Sequence, residues 1–70
     1  MRIWTDGSCL VNPGGPGGWA WASDPMHFES GSVPETTNQR MEMQAVIEAI
    51  SSHPDEARIT IVSDSAYVIN

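Results

Sequence analysis

Hydrophobic and polar positions along the chain follow two different periods, which predict strands first and a helix later. Residues 2–6 alternate, with Ile3 and Thr5 on one side and Trp4 and Asp6 on the other, which is typical of a strand. Segments rich in glycine and proline interrupt the pattern and indicate loops or turns. The predicted strands cover residues 2–6, 18–23, 26–32 and 58–63, the predicted helix covers residues 37–52, and residues 65–70 begin a second helix.

The helix is predicted from an apolar repeat. Met43, Val46, Ile47 and Ile50 recur at the spacing of one helical face, which we expect to pack on the sheet. Pro54 ends the helix, because proline cannot continue it. The N-terminal cap comes from Thr36 together with Gln39, or from Thr37 or Asn38 alone.

The element order β-β-β-α-β, followed by the stub of a second helix, indicates an α/β fold. A helix that crosses over within one sheet favours parallel strands at its two ends, so the first and fourth strands can be parallel neighbours. Asp6 and Asp64 would then lie together at the carboxyl ends of these strands, where open α/β sheets bind ligands. Glu42, near the start of the helix, can be directed at the same point.

Three carboxylates that converge on one point repel one another, and a bound hard divalent cation usually compensates this repulsion. Mg²⁺ or Mn²⁺ suits such an all-oxygen set. Each residue also has a simpler interpretation. Asp6 can be a turn residue before glycine, Glu42 a solvated helix residue, and Asp64 the cap of the following helix. The residues alone leave these alternatives open.

The charge balance argues against strong nucleic-acid binding by this chain alone. Nine acidic residues stand against three arginines, and the net charge is −6. Affinity for nucleic acids comes mostly from Lys and Arg at phosphates. Bound metal or another chain would have to offset the acids.

Cysteine content and hydropathy indicate a cytoplasmic protein. Cys9 is the single cysteine, which fits a reducing compartment. No segment is long and apolar enough to span a bilayer, so we expect no membrane partner.

Three blocks of sequence closely resemble the type 1 ribonuclease H family, within the RNase H-like superfamily. The first runs from Thr5 to Leu10 with Asn-Pro-Gly at 12–14, the second covers residues 36–43, and the third is Ser-Asp-Ser at 63–65 with Tyr-Val at 67–68. They occur in the family's order and at suitable spacing. The resemblance implies an RNase H-like mixed sheet in a single, partial or minimal domain over residues 1–70, truncated to the N-terminal half of the family.

The resemblance implies an enzyme that hydrolyses the RNA strand of RNA–DNA hybrids endonucleolytically by a two-metal mechanism. Asp6, Glu42 and Asp64 match the family's first three metal-binding carboxylates. They would hold two Mg²⁺ ions per site, with Mn²⁺ as an alternative. No nucleophilic side chain is needed.

The resemblance also implies substrate contacts at five positions. Cys9, Asn12, Asn38 and Gln39 match residues at the minor groove and at ribose 2′-hydroxyls, where short amides suit a group that both donates and accepts. Thr37 matches a residue at a DNA phosphate. Asn12 before proline can also be a simple turn residue, and Asn38 a helix cap.

The chain departs from the family's pattern in several respects. Its loop at residues 12–18 is one glycine longer, and Ala66 replaces a frequent polar residue. The fourth catalytic aspartate, a loop histidine and the basic substrate-binding region have no counterpart. A sheet that ended at the fourth strand would expose an apolar edge. We therefore expect a homo-oligomer, most simply a two-fold dimer, or a second chain that supplies the C-terminal half.

Two other functional hypotheses remain beside the active enzyme. One is a catalytically inactive RNase H-fold fragment, and the other is a nucleic-acid-binding or assembly module. Retention of three mutually repelling acids argues against the second. Trp4, Trp19 and Trp21 are predicted as core or interface residues, and His27 and His53 as surface or structural histidines.

Overall fold

The computed structural model describes residues 1–63, so the predicted second helix lies outside the described residues. The elements are β1 (Arg2–Cys9), β2 (Gly17–Asp24), β3 (His27–Val33), α1 (Asn38–Ser51) and β4 (Thr60–Ser63). The sheet order is β3-β2-β1-β4. β1 pairs antiparallel with β2 and parallel with β4, with Thr5 beside Ser63. The predicted mixed sheet and the parallel pairing of the first and fourth strands are both confirmed.

β1 shows the predicted alternation. Ile3 and Thr5 are 0% and 7% exposed, whereas Trp4 is 48% exposed and Asp6 is also exposed. The strand extends three residues beyond the predicted end at residue 6, because residues 7–9 pair with β2. The extension depends on pairing with a partner strand. Glycine at position 7 is a poor strand former, so the local sequence did not predict it.

Helix α1 begins as one of the alternatives predicted. The Thr37 hydroxyl oxygen accepts a 3.1 Å hydrogen bond from the Arg40 backbone N–H, so Thr37 is the N-terminal cap. The helix ends at Ser51, with Ser52 as its C-terminal cap and Pro54 two residues later.

The predicted packing face of α1 is wrong at three of its four positions, and only Val46 packs against the core. The buried residues are Met41, Ala45 and Ala49, whereas Met43, Ile47 and Ile50 are at least half exposed. Small side chains let the helix come close to the sheet. The larger apolar residues therefore fall to the side of the contact, with Val46 half-buried between the two faces.

The core lies between α1 and the sheet, where Ile3, Trp21, Ala49 and Ile61 form one cluster with Trp19 packed against it. This confirms core positions for two of the three tryptophans, while Trp4 lies exposed on the opposite face of the sheet.

His53 is a structural histidine, as predicted. Its ring lies edge-on to Trp21 with centroids 4.9 Å apart, and its Nδ1 donates to the Ala49 carbonyl at 2.6 Å. His27 is a surface residue that pairs with Asp24. Within the described part of the chain, no helix combines the length and apolarity needed to cross a bilayer.

Candidate metal centre and nucleic-acid contacts

Asp6 lies near the middle of β1, directly before Gly7. Its side chain is exposed, and its Oδ1 accepts a 3.0 Å hydrogen bond from the Gly7 backbone N–H. This short local bond restricts the carboxylate without removing it from solvent. Oδ2 and the remaining lone pairs of Oδ1 therefore stay accessible to a ligand.

Glu42 is brought to the same region by a direct contact between α1 and β1. The helix backbone at Met41–Glu42 lies so close to Gly7 that an added Cβ at position 7 would come within 2.5 Å of the Glu42 nitrogen. Gly7 immediately follows Asp6. The two carboxylates are thus carried on chain segments in backbone contact, with the Glu42 side chain half-buried.

The third predicted carboxylate, Asp64, lies outside the described residues. Ser63, which precedes it in the sequence, pairs with Thr5, which precedes Asp6. Within residues 1–63, no three His, Cys, Asp or Glu side chains gather as a metal-binding group. The described part of the site is therefore a pair of acids.

The chemistry of this pair fits a hard cation. Both donors are carboxylates, and no imidazole or thiolate is among the predicted ligands. Oxygen-only sets of this kind select Mg²⁺ or Mn²⁺ over softer metals. Asp6 and Glu42 are the described residues that could hold such an ion.

The predicted contact residues Cys9, Asn12 and Asn38 form one hydrogen-bonded group that links the end of β1 to the start of α1. The backbone N–H of Cys9 donates to Asn38 Oδ1 at 2.6 Å, and the backbone N–H of Asn38 donates to Asn12 Oδ1 at 3.1 Å. Both amide oxygens therefore face the protein. Neither Nδ2 group makes a hydrogen bond within the part of the chain that the structure describes, which leaves these donors for a ligand.

The Cys9 thiol faces its own loop. Its Sγ lies 3.0 Å from the Val11 carbonyl oxygen, 3.3 Å from that of Gly15 and 3.4 Å from that of Thr36. Of the other predicted contact residues, Thr37 caps α1 and Gln39 is exposed.

The comparisons with known proteins agree with this geometry. The sequence matches the RNase H family over residues 1–70. This chain belongs to the RNase H family. A protein of Moorella thermoacetica named ribonuclease H is 46% identical over 73 residues, which cover 100% of this chain and 47% of that protein.

Two more relatives give the same result. Proteins named ribonuclease H from Nitratidesulfovibrio vulgaris (strain DP4) and Paracoccus denitrificans are each 48% identical, and the alignments cover 100% of this chain with 46% and 50% of those proteins. The chain thus spans about half the length of the curated relatives it matches.

Sequence analysis did not predict the hydrogen bonds that join the glycine-rich loop of this RNase H-family chain to Thr36, just before α1. Gly14 N–H donates to the Thr36 carbonyl at 2.8 Å, and Thr36 N–H donates to the Gly15 carbonyl at 2.9 Å. Gly14 has a φ of 99°, which favours glycine. Thr36 is only 5% exposed. The glycines predicted a loop at these positions, but nothing in the sequence indicated that this loop would bond to Thr36.

Proposed function

We propose that this chain provides the N-terminal part of the active site of a metal-dependent endoribonuclease that hydrolyses the RNA strand of RNA–DNA hybrids. The observation that carries the proposal is the backbone contact of Gly7 with Met41–Glu42, next to Asp6. It supports a common site for two acids that the sequence separates widely. Residues 1–70 would form one partial RNase H-like domain.

Asp6, Glu42 and Asp64 would hold the metal, with two Mg²⁺ or Mn²⁺ ions as the expected occupants. Bound in this way, the ions would polarise the scissile phosphate and activate the attacking water. The task of these three side chains is to fix the position of that charge. Asp6 is suited to it because its hydrogen bond with the Gly7 N–H restricts the carboxylate.

The two asparagines would recognise the substrate. Their Oδ1 atoms already accept bonds within the protein, so each presents Nδ2–H donors. Such donors suit 2′-hydroxyl oxygens and the acceptors of the minor groove. Thr37 can cap the helix through its oxygen while its hydroxyl hydrogen donates to a phosphate. Gln39 is exposed beside them, and Cys9 would contribute its backbone position rather than its inward-facing thiol.

We also propose that further polypeptide covers the exposed apolar surfaces of this chain. Met43, Ile47 and Ile50 are exposed on α1, and on the opposite sheet face Trp4 and Phe28 are 48% and 67% exposed. Apolar surface of this kind marks contact sites. A second copy of this chain, or polypeptide equivalent to the length of the relatives that this chain does not span, would cover it. The cytoplasmic location stays a prediction from the sequence.

Hybrid cleavage tests the proposal. Wild-type chain, Asp6→Asn, Glu42→Gln and Asp64→Asn would be incubated with a labelled RNA–DNA hybrid and Mg²⁺ or Mn²⁺. Each preparation would be assayed alone and with the C-terminal half of the Moorella thermoacetica relative. Among these four proteins, we expect only wild type to cleave the RNA strand. Asp55→Asn, an exposed acid beyond α1, is the matched control and should cleave as wild type does.

Two results would contradict the proposal. Equal cleavage by wild type and Asp6→Asn would exclude the site. Absence of cleavage under both conditions, with retained binding of the hybrid, would favour the nucleic-acid-binding module instead.

A further inference from the structure

At Gly7 the backbone of β1 lies directly against the backbone of α1. An ideal Cβ built there would lie 2.5 Å from both the Glu42 nitrogen and the Met41 carbonyl oxygen, and real Cβ atoms essentially never come within 3.0 Å of a neighbour. These neighbours are helix backbone, which cannot rotate away as the end of a side chain can. Only glycine therefore permits the observed separation.

Gly7 also lies between the two described acids. It follows Asp6 in β1, and it contacts the helix at the residue that carries the second carboxylate. One turn and two turns further along α1, Ala45 and Ala49 are 0% exposed, so small side chains hold the rest of the helix close to the sheet as well. At Gly7 the contact is backbone on backbone.

We propose that Gly7 is a positioning residue of the metal site, whose missing side chain sets the separation between the Asp6 and Glu42 carboxylates. This inference rests on the proposed function and adds to it a residue that binds neither metal nor substrate. Alanine at position 7 moves the Met41–Glu42 turn outward until its backbone reaches ordinary contact at 3.4 Å or more. Metal–ligand distances tolerate only about 0.2 Å. The acids then fail to share one ion.

Direct measurement of Mn²⁺ binding by the full chain tests this without any need for cleavage. Titrations followed by the electron paramagnetic resonance signal of free Mn²⁺ would compare wild type, Gly7→Ala and Gly31→Ala. Position 31 is the matched control, since a Cβ there would also meet an atom at 2.5 Å, but in the Trp19 ring and not in α1. Thermal unfolding of all three proteins measures how much stability each substitution costs through steric crowding.

We expect Gly7→Ala to bind Mn²⁺ about 10- to 100-fold more weakly, as other changes around metal ligands do. Gly31→Ala should bind as wild type does even where its loss of thermal stability is similar. In a Glu42→Gln background, Gly7→Ala should add no further loss of affinity, because the ligand it positions is already gone.

Each other outcome also decides the question. Wild-type affinity in folded Gly7→Ala, or an equal loss in Gly31→Ala, overturns the positioning role. If Gly7→Ala does not fold, Gly17→Ala replaces it. A Cβ there would meet the Ser8 carbonyl oxygen of β1 at 2.6 Å and side-chain atoms of Thr36 and Met41 at 2.6 and 2.9 Å, so it also crowds the contact between β1 and α1. A tenfold loss supports the proposal, and unchanged affinity overturns it. Equal Mn²⁺ binding by wild type and Asp6→Asn would instead refute the proposed function itself.

Discussion

Asn38 Oδ1 accepts a 2.6 Å hydrogen bond from the Cys9 backbone N–H, and this bond joins the end of β1 to the first residue of α1. The same asparagine donates its own backbone N–H to Asn12 Oδ1. The residue predicted as a substrate contact is therefore also a structural connection between loop and helix. The structural bonds use Oδ1 and the backbone N–H, whereas the proposed substrate contact would use Nδ2, so mutation can separate the two.

Substitution of Asn38 should separate structure from recognition. Asn38→Ala loses the acceptor for Cys9 and should lower the free energy of unfolding by about 1–2 kcal/mol. Asn38→Asp keeps an acceptor at the start of a helix, where negative charge is favourable, and should stay within about 0.5 kcal/mol of wild type. Both variants lose the Nδ2 donors and should bind a labelled RNA–DNA hybrid at least tenfold more weakly. Denaturant unfolding and fluorescence anisotropy measure the two effects, and wild-type affinity in Asn38→Ala would contradict the contact.

Thr5→Val should stabilise the fold. Thr5 is 7% exposed, and its Oγ1 has no hydrogen-bond partner among the residues that the structure describes. Valine has nearly the same shape without the buried hydroxyl, so we expect a gain of about 1 kcal/mol in the free energy of unfolding. Thr60→Val, at an exposed position of β4, serves as the control and should change stability by less than about 0.5 kcal/mol. A destabilised Thr5→Val would show that the hydroxyl has a partner.

The hairpin between β2 and β3 should lose stability in acid. The His27 side chain, followed by the Met26 backbone N–H, donates to Asp24 and holds the pKa of this carboxyl below its ordinary value of 3.8. A carboxyl with a lowered pKa stabilises the folded state above its ordinary pKa, and this contribution is lost as the pH falls below that value through the folded-state pKa.

Unfolding temperatures of wild type and Asp24→Asn between pH 5 and pH 2 measure this effect. Wild type should be the more stable at pH 5, and the difference should shrink below about pH 4. Because Asp24 is exposed to solvent, the effect should be small. A difference that stayed constant over this range would contradict the pairing.

Salt dependence should reveal how few phosphates this chain neutralises. Arg40 lies in the first turn of α1 beside the contact residues, whereas Arg2 pairs with Thr60 at the end of β1 away from Asp6. Arg40→Ala should reduce the slope of log affinity against log salt by about 1, the value for one phosphate contact. Arg58→Ala, before β4, should leave the slope unchanged. Equal slopes in wild type and Arg40→Ala would exclude Arg40 as a phosphate contact.

The elements were predictable because their signals are local. Alternation in β1 and the glycines and prolines of the turns identified the strands, and an uninterrupted polar–apolar repeat identified α1. The packing face of the helix was not predictable by size, because Ala45 and Ala49 make the close contact while Ile47 and Ile50 do not. Burial of a helix face depends on whether its side chains are small enough for the helix to approach the sheet, as well as on their hydrophobicity.

The sequence names candidate residues for the site but does not show how they are arranged. Asp6 and Glu42 could be named from the sequence and from the family resemblance. The contact of Gly7 with the α1 backbone could not be predicted, because glycine has no side chain and so does not contribute to a polar–apolar pattern. The bonds of Asn38 with Cys9 and Asn12 likewise join residues that are far apart in the sequence, and local signals contain no record of them.

The parallel pairing of β1 with β4 has a consequence for the order of events during synthesis. β1 leaves the ribosome before the other described elements, and it can pair with β2 as soon as the β2–β3 hairpin emerges. Its other edge stays open until Thr60–Ser63 have been made, after the whole of α1. Parallel pairing across so long a connection forms slowly. Asp6 therefore has no neighbour in β4 until that strand has been made, and a nascent chain interrupted before residue 60 would have a helix and a hairpin but no β1–β4 pairing beside Asp6.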